Sequence, residues 1–395
     1  MSRKVRVLII AFPHSIHTAR WIQQLDESEF EIVLFPSLTF RPIHEEIQNI
    51  TITQLDLPDI NANRAIKFKY PLPGFRLLQK LTGPVLYRKL LGKFGLLKLQ
   101  KRNLKKLIRE FQPDIIHTME SQQAGYMYAD LPRQQSIQWI HSIWGIDLHY
   151  FRENQEHLQK LRAMLNKLNL LVVEGERDIK IAKEIGYKGA SAIIPSVGGG
   201  FDFSIWKTLP YTTAASSRKK ILLKGYDGDE RLASVALQAL RSIPETLMGY
   251  EVVIYSLSKK LIPLVETICN QKEFNLTICG ELNYLDMLKL VCEARVSITN
   301  NLSDGVPNTM LEAMASGSFP IQSNTAITDG WIVDGFNGFT PDPKDPHKIA
   351  ECIKKSLIDD ELVDRAAAHN IQLVREKLDI KTMKTKIKEL YTRSN

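Results

Sequence analysis

The sequence predicts an α/β protein built from two successive parallel sheets, each covered by helices. Three observations carry the prediction. Short apolar runs alternate with amphipathic stretches; the alternation breaks once at a glycine-rich segment and then restarts; and 395 residues exceed what one hydrophobic core ordinarily supports.

In the first half, Val5 to Phe12, Phe30 to Phe35, Ile50 to Leu55, Asp114 to His117, Ile137 to Ile140, Leu170 to Val173 and Ser191 to Ile194 read as strands. Each is a short run rich in β-branched or apolar residues and bounded by turn formers. Helical periodicity lies between several of them, notably over Ser15 to Leu25 and Arg177 to Ile185, which is the pattern of βαβ units. Around Pro195-Ser196-Val197-Gly198-Gly199-Gly200 the pattern lapses, and a hinge is expected there. It resumes with strands at Lys220 to Lys224, Glu251 to Tyr255, Asn275 to Cys279, Arg295 to Thr299 and Ser318 to Gln322. Helices separate them at Arg231 to Ser242 and Tyr284 to Ala294, and another follows at Ala350 to Ile358. The expected division is therefore a first domain over residues 1–196 and a second over 197–379. A charged amphipathic helix, Ile380 to Tyr391 within 380–395, is expected to pack back on the first domain.

With 44% hydrophobic and 24% charged residues the chain has the composition of a soluble globular protein. No window reaches the roughly eighteen consecutive apolar residues of a spanning helix. Met1-Ser2-Arg3-Lys4 before an apolar run imitates a signal peptide, but Arg6 interrupts the run and no small-residue cleavage site follows, so a strand and a cytoplasmic location are expected. Cys269, Cys279, Cys292 and Cys352 show no paired zinc-type spacing and read as reduced thiols.

The net charge of +8 is local in origin. Residues 64–109 hold 14 Lys or Arg and no Asp or Glu, which leaves the rest of the chain at −6. Lys and Arg interleave there with Phe68, Tyr70, Phe75, Leu90, Leu91 and Phe94, a mixture suited to an anionic membrane surface, where each basic residue contributes about 1 kcal/mol. A solvated basic insertion with its apolar residues in the core is the alternative. Nucleic acid is a third reading, and none is expected as a partner because no nucleic-acid motif accompanies the charge.

The most informative segment runs from Ser303 through Asp304-Gly305-Val306-Pro307-Asn308-Thr309-Met310-Leu311-Glu312-Ala313-Met314 to Gly317. A glycine- and proline-containing loop enters a helix just beyond a parallel strand, which is where α/β folds bind phosphate on backbone amides. Glu312 sits among apolar neighbours, an unusual place for a solvent-facing acid; a helix cap at Asp304 and a surface acid at Glu312 form the plain alternative.

This segment resembles the signature of retaining glycosyltransferase family 4: two acids separated by seven residues, then Ala-Met and a glycine. The resemblance implies the GT-B fold, two Rossmann-like domains with parallel sheets facing across a cleft. It implies that Asp304 binds donor-sugar hydroxyls, that the amides of Gly305, Val306, Pro307-Asn308, Thr309 and Met310 surround the diphosphate, and that Glu312 accepts the ribose hydroxyls. The family usually has Glu at the first position, so Asp304 departs from it by one methylene.

Leu223-Lys224-Gly225-Tyr226-Asp227-Gly228-Asp229-Glu230-Arg231 resembles the family's Gly-Arg followed about five residues later by Lys. Tyr226 replaces the arginine, Arg231 stands at the lysine position as the implied phosphate clamp, and Lys224 is a candidate second cation. In the first domain, Phe12-Pro13-His14-Ser15-Ile16-His17 resembles the family's first strand-to-helix loop, with bulk where a glycine pair is usual; His17 is an acceptor-side candidate or a neighbour of a simple helix cap. His141-Ser142-Ile143-Trp144-Gly145-Ile146-Asp147 resembles the family's cleft-facing histidine and Gly-x-Asp turn. By that resemblance His141 approaches the donor sugar and Asp147 organises the acceptor-side loop.

The implied activity is metal-independent, retaining transfer of a hexose-type sugar from a nucleotide sugar to a glycan or lipid-linked acceptor, as in surface polysaccharide assembly, with no cofactor. The leaving phosphate itself is expected to take the acceptor proton. Two other classes stay open: a non-catalytic GT-B partner subunit, motivated by Asp304 and Tyr226, and, more weakly, a nucleotide-sugar epimerase.

Overall fold

The computed structural model describes residues 3–38, 41–48, 50–53, 95–195, 199–209 and 214–392, together with the backbone of 67–69. Two compact units make up the chain, one comprising Met1–Gly199 with Met383–Asn395, the other Gly200–Thr382.

Among the described residues the first unit holds an eight-stranded sheet built from β1 (Val5–Ala11), β2 (Phe30–Pro36), β3 (Thr51–Thr53), β4 (Lys67–Lys69), β5 (Ile115–Met119), β6 (Gln138–Ser142), β7 (Leu170–Val173) and β8 (Ala190–Ile193). Its order is β4-β3-β2-β1-β5-β6-β7-β8, and every pairing is parallel. The order reverses between β1 and β5, so the crevice beyond the carboxyl ends of those two strands is the topological switch point, where open α/β sheets bind ligands. Leu8, Ile9, Ile10 and Ala11 are fully buried, as a central parallel strand with both faces covered requires.

The second unit carries β9 (Lys220–Lys224), β10 (Glu251–Tyr255), β11 (Leu276–Ile278), β12 (Ala294–Thr299) and β13 (Phe319–Gln322) in the parallel order β11-β10-β9-β12-β13. Its core gathers Ile221, Leu223, Val252, Ile254, Val296, Ile298, Phe319 and Ile321 with the helices Ala233–Arg241, Pro346–Ile358 and Asp360–Leu378.

Three findings refine the sequence reading. Strand β4, a Lys-Phe-Lys triplet inside the basic segment, adds to the sheet edge beside β3, and its alternation is too short to stand out in sequence. Helix 95–111 lies in the same segment and buries Leu104, Leu107, Ile108 and Phe111 in the core of the first sheet, so these apolar residues serve packing. Residues 64–66 and 70–94, which carry most of the membrane reading, lie outside the described residues. No helix among the described residues is long and apolar enough to cross a membrane.

The helix Ile380–Thr392 places Tyr391 in the first unit's interior. Trp21 Nε1 donates to Tyr391 Oη at 2.7 Å, Tyr391 Oη pairs with His117 Nδ1 at 2.5 Å, and His117 Nε2 pairs with Ser142 Oγ at 2.7 Å. Burial, reinforced by nearby His141, holds the His117 imidazole down at about 3, so the chain of bonds is made by neutral groups.

Candidate functional site

In the second unit, two loops laced by backbone hydrogen bonds bring together the residues singled out in sequence. Leu232 N donates to Asn300 O at 3.0 Å and Leu302 N donates to Glu230 O at 2.9 Å, both ordinary ladder distances, with Arg231 bridging Asn301 between them. Asn300 pins the arrangement, its Nδ2 donating to Leu232 O at 3.0 Å and to Pro343 O at 2.8 Å. Arg231 is thereby set opposite Asp304, and Nη1 donates to Asp304 Oδ2 at 2.8 Å. Asn301 Nδ2 donates to the same oxygen at 2.9 Å, while Asp304 Oδ1 accepts the Gly305 amide at 2.9 Å.

Pro307 precedes the helix Asn308–Ala315, whose first turn has no side-chain cap. Proline fixes the entry angle without needing an amide partner, and the helix then buries Met310, Leu311, Ala313 and Met314. This amino-terminal end follows β12, where backbone N–H groups and the helix dipole favour an anion. Glu312 is only 4% exposed, on the buried side of that helix, with Tyr255 close enough for its phenol to be pushed above the ordinary range by burial, Glu312 and Tyr226.

Lys224 ends β9, and its ammonium lies 4.4 Å from the centre of the Tyr226 ring, a cation–π contact. Burial lowers the Lys224 pKa and nearby Arg231 adds to this, whereas Asp304 and Glu312 oppose it. Gly225 admits no side chain: a Cβ there would lie 2.7 Å from Ile254 Cγ2 and 3.0 Å from Leu257 Cα. Thus Lys224, Gly225, Tyr226, Arg231, Asp304 and the 305–312 segment converge beyond the carboxyl ends of β9 and β12. Sequence reading did not single out Asn301 or Tyr255; the only signal for Asn301 was a polar Asn300-Asn301 pair directly after an apolar strand.

In the first unit His141 sits in a network that its sequence position does not reveal. That residue is fully buried, with Nδ1 paired to Thr118 Oγ1 at 2.8 Å and Nε2 to Ser121 Oγ at 3.1 Å. Burial lowers its pKa to about 3. A neutral imidazole with both nitrogens engaged positions the 118–121 segment. Asp147, also buried, accepts from the amides of Ser121 at 2.9 Å and Trp144 at 3.0 Å and so fixes the turn after β6. His17, in the first turn of the helix Ile16–Gln23 that Ser15 caps, lies against Trp144 with ring centres 5.6 Å apart.

Sequence reading also missed Glu120. It sits at φ 69° directly after β5, and its carboxylate accepts from the amides of Gln122, Gln123 and Ala124 in the π-helical turn Ser121–Gly125. Burial, with Asp147 nearby, raises Glu120 to about 8, and burial, with Asp178 nearby, raises Asp147 to about 7. Both folded-state values exceed those of the unfolded chain. The pair therefore favours the fold fully below about pH 4, the unfolded carboxylate range, and that contribution is lost as pH rises through 7 to 8. Asp147→Asn keeps an oxygen for the two amides and removes one titration, so thermal melts from pH 5 to 9 are expected to show a shallower decline than wild type; an unchanged slope would count against the pair.

The comparisons agree with this architecture. A family model described as Glycosyl transferases group 1 matches residues 218–372, and one described as Glycosyl transferase 4-like matches residues 80–174. No functionally curated protein matches the sequence. Sucrose-phosphate synthase (tll1590) from Thermosynechococcus elongatus superposes with a TM-score of 0.73 at 13% identity, covering 99% of each chain. Anabaena Alr3699/HepE, solved in complex with UDP-glucose, gives 0.69 at 12% identity over 98% of this chain and 99% of its own. A glycosyltransferase from Rickettsia africae ESF-5 gives 0.65 at 13% identity over 99% of each. With matching models in both units, together spanning well over half of its length, and with two parallel sheets like those of the GT-B structures it resembles, this chain belongs to the family-4-like, group 1 glycosyltransferases.

Proposed function

We propose that the protein is a retaining, metal-independent glycosyltransferase that moves a hexose-type sugar from a nucleotide diphosphate to a glycan or lipid-linked acceptor in surface polysaccharide assembly. The observation that carries this reading is the convergence of Arg231, Lys224 and the amino-terminal end of helix Asn308–Ala315 around Asp304, with Glu312 buried one turn further on. Cleaving a nucleotide sugar requires charge to be stabilised on the departing diphosphate. A guanidinium, an ammonium and helix amides supply that stabilisation in the place a divalent cation takes in other designs. Asp304 orients Arg231 and offers its carboxylate to sugar hydroxyls, Glu312 accepts the ribose hydroxyls, and the leaving phosphate takes the acceptor proton on the same face. That Alr3699/HepE is described in complex with UDP-glucose makes a uridine diphosphate sugar the first donor to try. The charge of the basic segment 64–109 supports a location on the cytoplasmic face of an anionic membrane, near a lipid-linked acceptor.

A panel of nucleotide sugars, scored for nucleotide diphosphate released in the presence of chelator, tests the reading. Release from one donor is expected, and Glu312→Ala is expected to lower it roughly 10- to 100-fold, the effect of losing hydrogen bonds to a charged group. Full turnover in the variant would sink the site assignment, and release only with added divalent metal would sink metal independence.

A further inference from the structure

Above the carboxyl ends of the first unit's strands stands an aromatic group that the donor chemistry does not use. Phe12 follows β1, Trp144 follows β6, and the two rings reach each other across the end of β5, with centres 5.6 Å apart and planes at 71°. His17 meets the same indole at 5.6 Å and 67°, and His14 lies 5.7 Å from Phe12. Phe12, His17 and Trp144 are each partly exposed, and His14 is exposed.

The supporting backbone is stiff. Trp144 N donates to the buried Asp147 carboxylate, Asp147 N returns a bond to Trp144 O at 2.7 Å, and His44 N donates to Pro13 O at 2.8 Å. Edge-to-face contacts on two sides hold the indole in place, so ordering it on binding costs little entropy.

We infer that Phe12, His14, His17 and Trp144 form a binding platform for a pyranose ring of the acceptor, so that the acceptor is presented sugar-first. The inference rests on the transferase reading above and narrows it. Rigid aromatic surface beside groups that both donate and accept hydrogen bonds suits a sugar, whose ring carbons are apolar and whose rim carries hydroxyls. Burial, with Arg41 and His44 nearby, lowers the His14 pKa, which keeps its imidazole neutral with one donor and one acceptor nitrogen. A bare isoprenoid tail would instead require a continuous apolar groove, which the two imidazoles interrupt. The position, astride the β1/β5 switch point, is where this sheet type receives ligands.

The test is saturation-transfer NMR on the full chain with the methyl pyranosides of glucose, galactose, mannose and N-acetylglucosamine, run beside calorimetric titration of uridine, guanosine and adenosine diphosphates. At least one pyranoside is expected to receive saturation. The signal is expected to fall roughly tenfold in Trp144→Ala and to recover in part in Trp144→Phe, which keeps a ring. His14→Ala, at an exposed position that leaves folding intact, is expected to weaken the signal as well. Equal saturation in wild type and Trp144→Ala, or none with any pyranoside, overturns the platform. Failure of the transferase reading shows separately, as no nucleotide diphosphate bound by wild type.

Discussion

Arg231→Ala is expected to reduce donor turnover by roughly two to three orders of magnitude, the typical loss when one group aimed at developing charge is removed. The geometry explains why the effect should be large. Arg231 is held between two backbone-laced loops and oriented by Asp304 at 2.8 Å, so under the proposed function it would meet the diphosphate without reorganising. Arg231→Lys keeps the charge but loses the planar fork, and it should recover only part of the rate. Asp304→Asn provides the complementary measurement: it retains an oxygen for Asn301 and Arg231 but removes the countercharge. Its loss should therefore show in the steady-state kcat with a smaller change in nucleotide diphosphate affinity. Wild-type rates in Arg231→Ala would remove that residue from the mechanism.

The second large effect concerns stability. Tyr391→Ala is expected to cost about 3–5 kcal/mol in unfolding free energy, the range for deleting a large buried aromatic side chain. Tyr391 is 2% exposed and also meets Phe30 with ring centres 5.7 Å apart. Tyr391→Phe preserves the packing and removes only the hydroxyl, which leaves the Trp21 N–H and one His117 nitrogen without their present partner; about 1–3 kcal/mol is expected for that change. Urea unfolding followed by circular dichroism reads both variants. Equal losses for the two would place the energy in the hydroxyl network, and no loss for either would mean that the carboxyl-terminal helix contributes nothing to the first unit.

Much of this architecture is legible in the sequence because parallel strands buried on both faces are near-continuous apolar runs. Lys220–Lys224 and Glu251–Tyr255 form strands with the same bounds that their composition predicts. The candidate donor-side group was legible for a different reason: Asp304 and Glu312 lie on one loop and helix, so local spacing carries their relation. What spacing could not carry were relations between distant segments. The salt bridge from Arg231 to Asp304 spans 73 positions, and the platform joins Phe12 to Trp144 across an intervening strand. His141 illustrates the same limit. A histidine at a strand's carboxyl end has the right address for function, but Thr118 and Ser121 take both of its nitrogens, and neither partner is adjacent in sequence. Glu120 was hidden because its meaning lies in a positive φ and three amides, which composition does not reveal.

The return of the last helix also sets an order on biosynthesis. The first unit is encoded in two pieces, Met1–Gly199 and Met383–Asn395, with the whole second unit between them. A ribosome therefore delivers Trp21 and His117 long before the tyrosine that joins them. At the usual pace of roughly 5–20 residues per second, the interval is tens of seconds. Through that interval the nascent first unit has an open place in its core. The amino-terminal half, although made first, thus waits unfinished for the helix Ile380–Thr392, and over that wait its exposed apolar surface is what a chaperone would have to cover.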